Sequence, residues 1–158
     1  MIAYLPEQHA PDHALIGRAV VDEQRAFMTV AAMISNQSPA ARAHDLQAAV
    51  EPIPSNLGAS LAKGVAMKVY TSEGGLHRLI LLSRQNVDGI HRLLPSTIEH
   101  LRNKGISIDW VPLIGDLADW RRRRRDIARW WIQDYSRTLY RFDTDKHRTD
   151  STAESETL

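Results

Sequence analysis

The chain has 158 residues, 43% of them apolar, enough for one domain or two small helical lobes sharing a core. It lacks cysteine, which excludes a disulfide framework, a thiolate metal site and a thiol nucleophile. The formal net charge of +1 hides an uneven distribution: −2 over residues 1–75, +6 over 76–142 and −3 over 143–158, so the C-terminal half is basic, which fits an anionic partner or a normally solvated helical surface equally well.

In chain order, residues 1–11 are loop-like, with Pro6 and Pro11. The stretch MIAYLPEQHAPDH lacks the basic start and apolar core of a signal peptide. No apolar run anywhere reaches the ~20 residues that span a bilayer, so a soluble, cytoplasmic protein without a membrane partner is expected. Asp12 is placed to cap HALIGRAVV, a helical stretch that Gly17 weakens. A stronger helix is expected over 22–35, with Asp22 as its cap and Phe27, Val30, Met33 and Ile34 on one face. Ser38-Pro39 ends it. Pro39, Pro52 and Pro54 then punctuate a partly mobile connection, with room for a short helix in ARAHDLQAAV.

Ser55 or Asn56 caps the next helix, LGASLAKGVAMKVY, where Leu57, Leu61, Val65 and Val69 recur every fourth residue. Its small residues Gly58, Ala59, Ala62 and Gly64 let another helix approach closely. Gly74-Gly75 reads as the clearest break in the chain and a boundary between lobes. Beyond it, Leu76, Leu79, Ile80 and Leu82 face inward, while His77, Arg78 and Arg84 face outward. Asp88 starts GIHRLLPSTIEHLRNKG, which Pro95 should kink or split and Gly105 should stop.

The stretch Ile108 to Phe142 organises the rest. Asp109 is a reasonable N-cap, and Pro112 is tolerable in a first turn. Trp110, Leu113, Ile114, Leu117 and Trp120 form one helical stripe; Ile127, Trp131, Tyr135, Thr138, Leu139 and Phe142 form a second, which Trp130 broadens. Arg121, Arg122, Arg123, Arg124 and Arg125 lie between two helices so defined. All four indoles fall here, which points to a rigid core with a positive edge. No segment alternates apolar and polar residues over strand length. The expected fold is all-α, a compact helical bundle over 1–142 with a disordered acidic tail over 143–158.

Nothing nominates a reaction. His77, His91 and His100 lack metal-ligand spacing and read as scattered surface histidines. Asp116 and Asp119 share a face and are a possible cation pair, but Asp119 is also spaced to pair with Arg122 and Arg123, and local salt bridging is the better reading. Nucleotide-binding glycine loops and nucleophile elbows are missing. No catalytic residue, metal or cofactor is expected. The arginine run has three readings: a phosphate-contacting edge, a docking patch for an acidic protein, or a solvated turn. Five consecutive arginines repel one another and match phosphate oxygens geometrically, which favours nucleic-acid contact.

The pattern GISIDWVPLIGDLADW, a basic run, then RWWIQDYSRTLYR resembles the C-terminal signature of the CasB family, the small subunit of the type I-E CRISPR surveillance complex, Cascade. Upstream, RAFMTVAAMISNQSP, NLGASLAKGV and HRLILLSRQNVDGIHRLLPSTIEHLRNKG are similar to the family's early core helix, its Gly-Ala helix, and its Arg-Leu-Leu segment with long helix, so the likeness runs from Arg25 to Arg141. The chain departs from the family pattern in lacking a further basic segment before the first core helix, and in Pro95. The resemblance implies a non-enzymatic helical subunit, two copies of which sit head-to-tail beside the backbone and large subunits that carry the guide RNA. It implies that their basic surface holds target DNA and stabilises the R-loop. The family's basic positions carry over to Arg78, Arg84 and the Arg121–Arg125 cluster, with Lys63 and Lys68 as weaker transfers. Trp110, Trp120 and Trp131 correspond to core anchors. The alternative is a helical adaptor that docks acidic protein partners without touching DNA.

Overall fold

The computed structural model describes residues 13–47 and 53–155. Six helices follow one another, α1 (His13–Ser35), α2 (Pro39–Gln47), α3 (Leu57–Ala66), α4 (Ser72–Ser83), α5 (Val87–Asn103) and α6 (Trp110–Ser155). No strand occurs among the described residues, as the missing alternation predicts. None of these helices is long and apolar enough to cross a membrane. The readings of residues 1–12, including the Asp12 cap, lie outside the described residues.

The spine is α6, against which α1, α3, α4 and α5 all pack. Its buried residues are Leu113, Leu117 and Trp120, then Ile127, Trp131 and Tyr135. They join Ala26 and Val30 of α1, Leu61 of α3, Leu79 and Leu82 of α4, and Ile90, Leu94, Ile98 and Leu101 of α5 in one apolar cluster. Each such aliphatic side chain contributes about 1.5–3 kcal/mol by leaving water. The closest approach is between α3 and α6. A Cβ on Gly58 would lie 1.8 Å from the carbonyl oxygen of Trp131, so only hydrogen fits there. Of the small residues expected to allow a close approach, Gly58 meets α6, while Gly64 lies against Leu101 and Ile106.

The helix ends are set by local chemistry. Asn56 caps α3 by accepting from the Ala59 amide, and Asp109 Oδ1 accepts from Val111 at the start of α6. Asn86 rather than Asp88 caps α5, leaving Asp88 in the first turn. Gly105, at φ 78°, stops α5, with the Ile106 amide reaching back to Leu101. The same motif ends α3 four residues before the end of its expected span. There Lys68 takes the left-handed conformation at φ 59°, and Val69 donates to Gly64.

Several expectations are corrected. The stretch HALIGRAVV and the helix expected over 22–35 are one continuous helix, α1, which buries Ala26, Val30 and Met33. Phe27 and Ile34 lie on its exposed side, and Asp22 is an interior, buried residue, not a cap. Gly74 and Gly75 are no break but sit inside α4, capped by Thr71; a Cβ on Gly75 would strike Val65 Cγ2 at 2.4 Å. Leu76 is exposed on the same helix. Pro95 neither kinks nor splits α5, because losing one amide donor is tolerable in a helix held by the packing of Leu94 and Ile98. The connection from Pro39 does hold a helix, α2, with Ser38 Oγ accepting from the Ala41 amide; residues 48–52 lie outside the described residues. Beyond Phe142 the backbone continues as helix to Ser155. The side chains of 143–148 are exposed, in keeping with a segment that has nothing to bury.

Candidate nucleic-acid interface

Five consecutive residues on a helix, stepping about 100° each, spread over more than a full turn. The arginine run therefore cannot present one face. It straddles the junction of two helices, as the two stripes predict. All five arginines are within α6, which bends at Arg123, where φ −122° and ψ 17° leave the helical region. The bend is braced from both sides. The Trp120 and Trp131 rings pack against each other at a tilt, centroids 5.1 Å apart, and Trp131 Nε1 donates to Asp116 at 2.7 Å. Burial pushes the Asp116 carboxyl up to about 6, against the opposing effect of that hydrogen bond. Trp120 and Trp131 are fully buried, and Trp110 is partly buried at the edge of the cluster. Trp130 is instead partly exposed, with the Arg123 guanidinium 4.8 Å above its ring.

The fan sorts the arginines by partner. Arg121 turns towards α1 and donates to both oxygens of Asp22, at 2.7 and 3.0 Å. That hydrogen bond holds the Asp22 carboxyl below its ordinary range, against its burial. Arg122 and Arg123 turn back to Asp119, the second at 3.7 Å. Asp119 is thus a salt-bridge partner, as its spacing predicts, while Asp116 is a hydrogen-bond acceptor. Arg124 Nη1 donates to the Gln85 carbonyl at 3.4 Å, an oxygen that also accepts from Trp120 Nε1. Arg125 projects into solvent.

Among the described residues, Arg84, Arg124 and Arg125 have no carboxylate within ion-pairing distance. All three line one open groove of about 470 Å³ between the end of α4 and α6. Arg129 joins them, and no acidic residue lines the groove. A neighbouring groove along Arg121–Arg125 includes Asp88 and Asp126, so its charge is mixed. Of the expected binding residues, then, the fold brings Arg84, Arg124 and Arg125 together. It diverts Arg121, Arg122 and Arg123 largely to carboxylates. Arg78 lies beside the Tyr70 phenol, which burial raises and Arg78 opposes. Lys63 is half-buried on α3 and Lys68 sits on the turn after it; neither lines the groove.

Sequence reasoning missed Arg129, although Arg125, Arg129 and Ile132 fall at i, i+4 and i+7 on one face. It also missed Arg102, which is buried and donates to Gln37, Ala41 and Ile106. His91 is no surface residue. It is buried, with Nδ1 2.8 Å from Thr29 Oγ1, and burial lowers its pKa. His77 and His100 are exposed, as expected.

Comparison with known proteins gives a consistent assignment. The family model described as CRISPR-associated protein Cse2 matches residues 1–135. One similar structure, a chain of a "CRISPR RNA-guided surveillance complex", is 40% identical with a TM-score of 0.70, over 80% of this chain and 69% of that one. Another, "CRISPR RNA-guided surveillance complex, pre-nicking", is 38% identical with a TM-score of 0.72, over 90% of this chain and 81% of that one. Among proteins of curated function none matches. With a matched segment that contains the α3–α6 core, the bend and the arginine groove, the chain belongs to the Cse2 (CasB) family of CRISPR-associated proteins.

Proposed function

We propose that this chain is the non-catalytic small subunit of a type I-E RNA-guided surveillance complex, Cascade, and that it stabilises the R-loop by holding target DNA through phosphates. Family membership and the two related chains support the assembly role. The observation that carries the DNA role is the acid-free groove where Arg84, Arg124 and Arg125 converge from two elements. Opening a duplex against a guide is a nearly balanced exchange, so a few backbone contacts tip it. Guanidinium groups on a rigid edge supply contacts that ignore sequence. The partners are the backbone and large subunits with their guide RNA, a second copy of the chain, and target DNA, in the cytoplasm.

An adaptor that uses its arginines to dock an acidic protein is the competing reading. An apolar stripe of Ile16, Val20, Phe27 and Ile34 runs along the exposed side of α1 and offers a separate surface for neighbouring subunits. That leaves the arginines available for nucleic acid. The test is reconstitution of the complex with Arg84, Arg124 and Arg125 replaced by alanine. The proposal expects normal stoichiometry and faster loss of target DNA; an adaptor would be lost from the complex.

A further inference from the structure

A polar seam fastens α1 to its neighbours beside the buried Ala26, Val30 and Met33. Three side chains of α1 reach across it: Asp22 to Arg121 of α6, Arg25 to Asp88 of α5, and Thr29 to His91 of α5. The third pair differs from the other two. His91 is 8% exposed, and its Nε2 is buried without a hydrogen-bond partner among the described residues. The neutral ring suits that position, since either tautomer settles Nδ1 on the Thr29 hydroxyl at 2.8 Å. An imidazolium does not, because it carries an N–H on both nitrogens and one of them meets no acceptor. The carboxylates that face the ring are also engaged. Asp22 is held by Arg121 and Asp88 by Arg25, and Arg25 opposes a second cation beside it. Glu99 and Arg102 line a groove with His91 but follow it by eight and eleven positions on α5, ~12 Å or more along the axis. Burial first, then Arg25, holds the ring below its ordinary range, against Asp22 and Asp88.

We propose that His91 is a proton-operated latch on α1: the neutral ring keeps the helix docked on α5 and α6, and protonation releases it while the core formed by α3, α4 and α6 stays folded. His91 binds a proton less readily docked than released. Docking is therefore complete above the ordinary imidazole value of 6.5 and weakens as pH falls through it. Helices in proteins are held chiefly by packing, so a released α1 loses its amide protection. The exposed stripe of Ile16, Val20, Phe27 and Ile34 moves with it, which makes the outer face of α1 responsive to acid.

The test is hydrogen exchange on the full chain at about one pH unit above and one below 6.5, read as protection factors so that the intrinsic pH dependence cancels. At the lower pH the wild-type amides of residues 22–34 should lose about fivefold to tenfold protection. Those of residues 113–135 should keep theirs, because Asp116 acts in the opposite direction there. His91→Gln stays uncharged and should make α1 protection alike at the two pH values. Undiminished α1 protection in wild type at the lower pH overturns the latch. So does a loss shared by both segments, or one that persists in His91→Gln. Should His91→Gln melt below wild type, an NMR titration of the wild-type His91 ring decides: a midpoint below 6.5 supports the latch, and one at or above 6.5 overturns it.

Discussion

Arg121 and Asp22 lie 99 positions apart and meet in a two-pronged ion pair, with the Asp22 side chain 8% exposed. The first arginine of the run thereby clamps α1 to α6. Arg121→Ala strands a buried carboxylate, whereas Arg124→Ala removes a groove cation from a helix that keeps its packing. Thermal melts should show a clear loss for the first and little change for the second, with DNA affinity following the opposite order. A stable Arg121→Ala protein with lost DNA binding would reverse the assignment.

Gly58 and Gly115 make a paired test of the α3–α6 contact. Alanine at 58 drives a methyl group into backbone, and the two helices must separate, costing about 3 kcal/mol or more. Alanine at 115, where nothing lies within 4 Å, should stabilise α6 by roughly 0.5–1 kcal/mol. Chemical denaturation of the two variants measures both signs.

Asp116 makes stability fall as pH rises through about 6. Its carboxyl binds a proton more tightly folded than unfolded, so the stabilisation is complete below its unfolded value of 3.8 and lost as pH climbs through the folded one. Asp116→Asn keeps an acceptor for Trp131 Nε1 without the charge. It should be more stable than wild type at pH 8, by about 1–3 kcal/mol, and converge with it near pH 4. A variant less stable than wild type at pH 8 would contradict this.

Lys68 holds a left-handed backbone that glycine adopts without a side-chain penalty. Lys68→Gly should gain roughly 0.5–1 kcal/mol, the relief exceeding the added freedom of the unfolded chain. DNA affinity should be unchanged, since Lys68 lies outside the groove.

The parts of this fold legible in the sequence are those with local causes. The stripes of α6, the Asn56 and Asp109 caps and the Gly105 stop each follow from residues a few positions apart. What escaped depends on distant neighbours. Gly74-Gly75 reads as a turn until Val65 and Tyr135 crowd it, which makes small residues a packing need inside a helix. Asp22 reads as a cap because its partner is 99 positions away. The arginine run reads as one cluster because residue type is visible and direction is not. Only the bend at Arg123 and the carboxylates around it separate fold-holding arginines from those facing the groove.

The most direct test of the phosphate-contacting groove is a salt series of single-stranded DNA binding by wild type and by a variant with Arg84, Arg124 and Arg125 replaced by alanine. Each phosphate contact contributes a log–log slope of about −0.7 on single strands. The variant should fold and melt like wild type, bind more weakly, and show a slope shallower by about 2. Matching affinity and slope in the two proteins would contradict it.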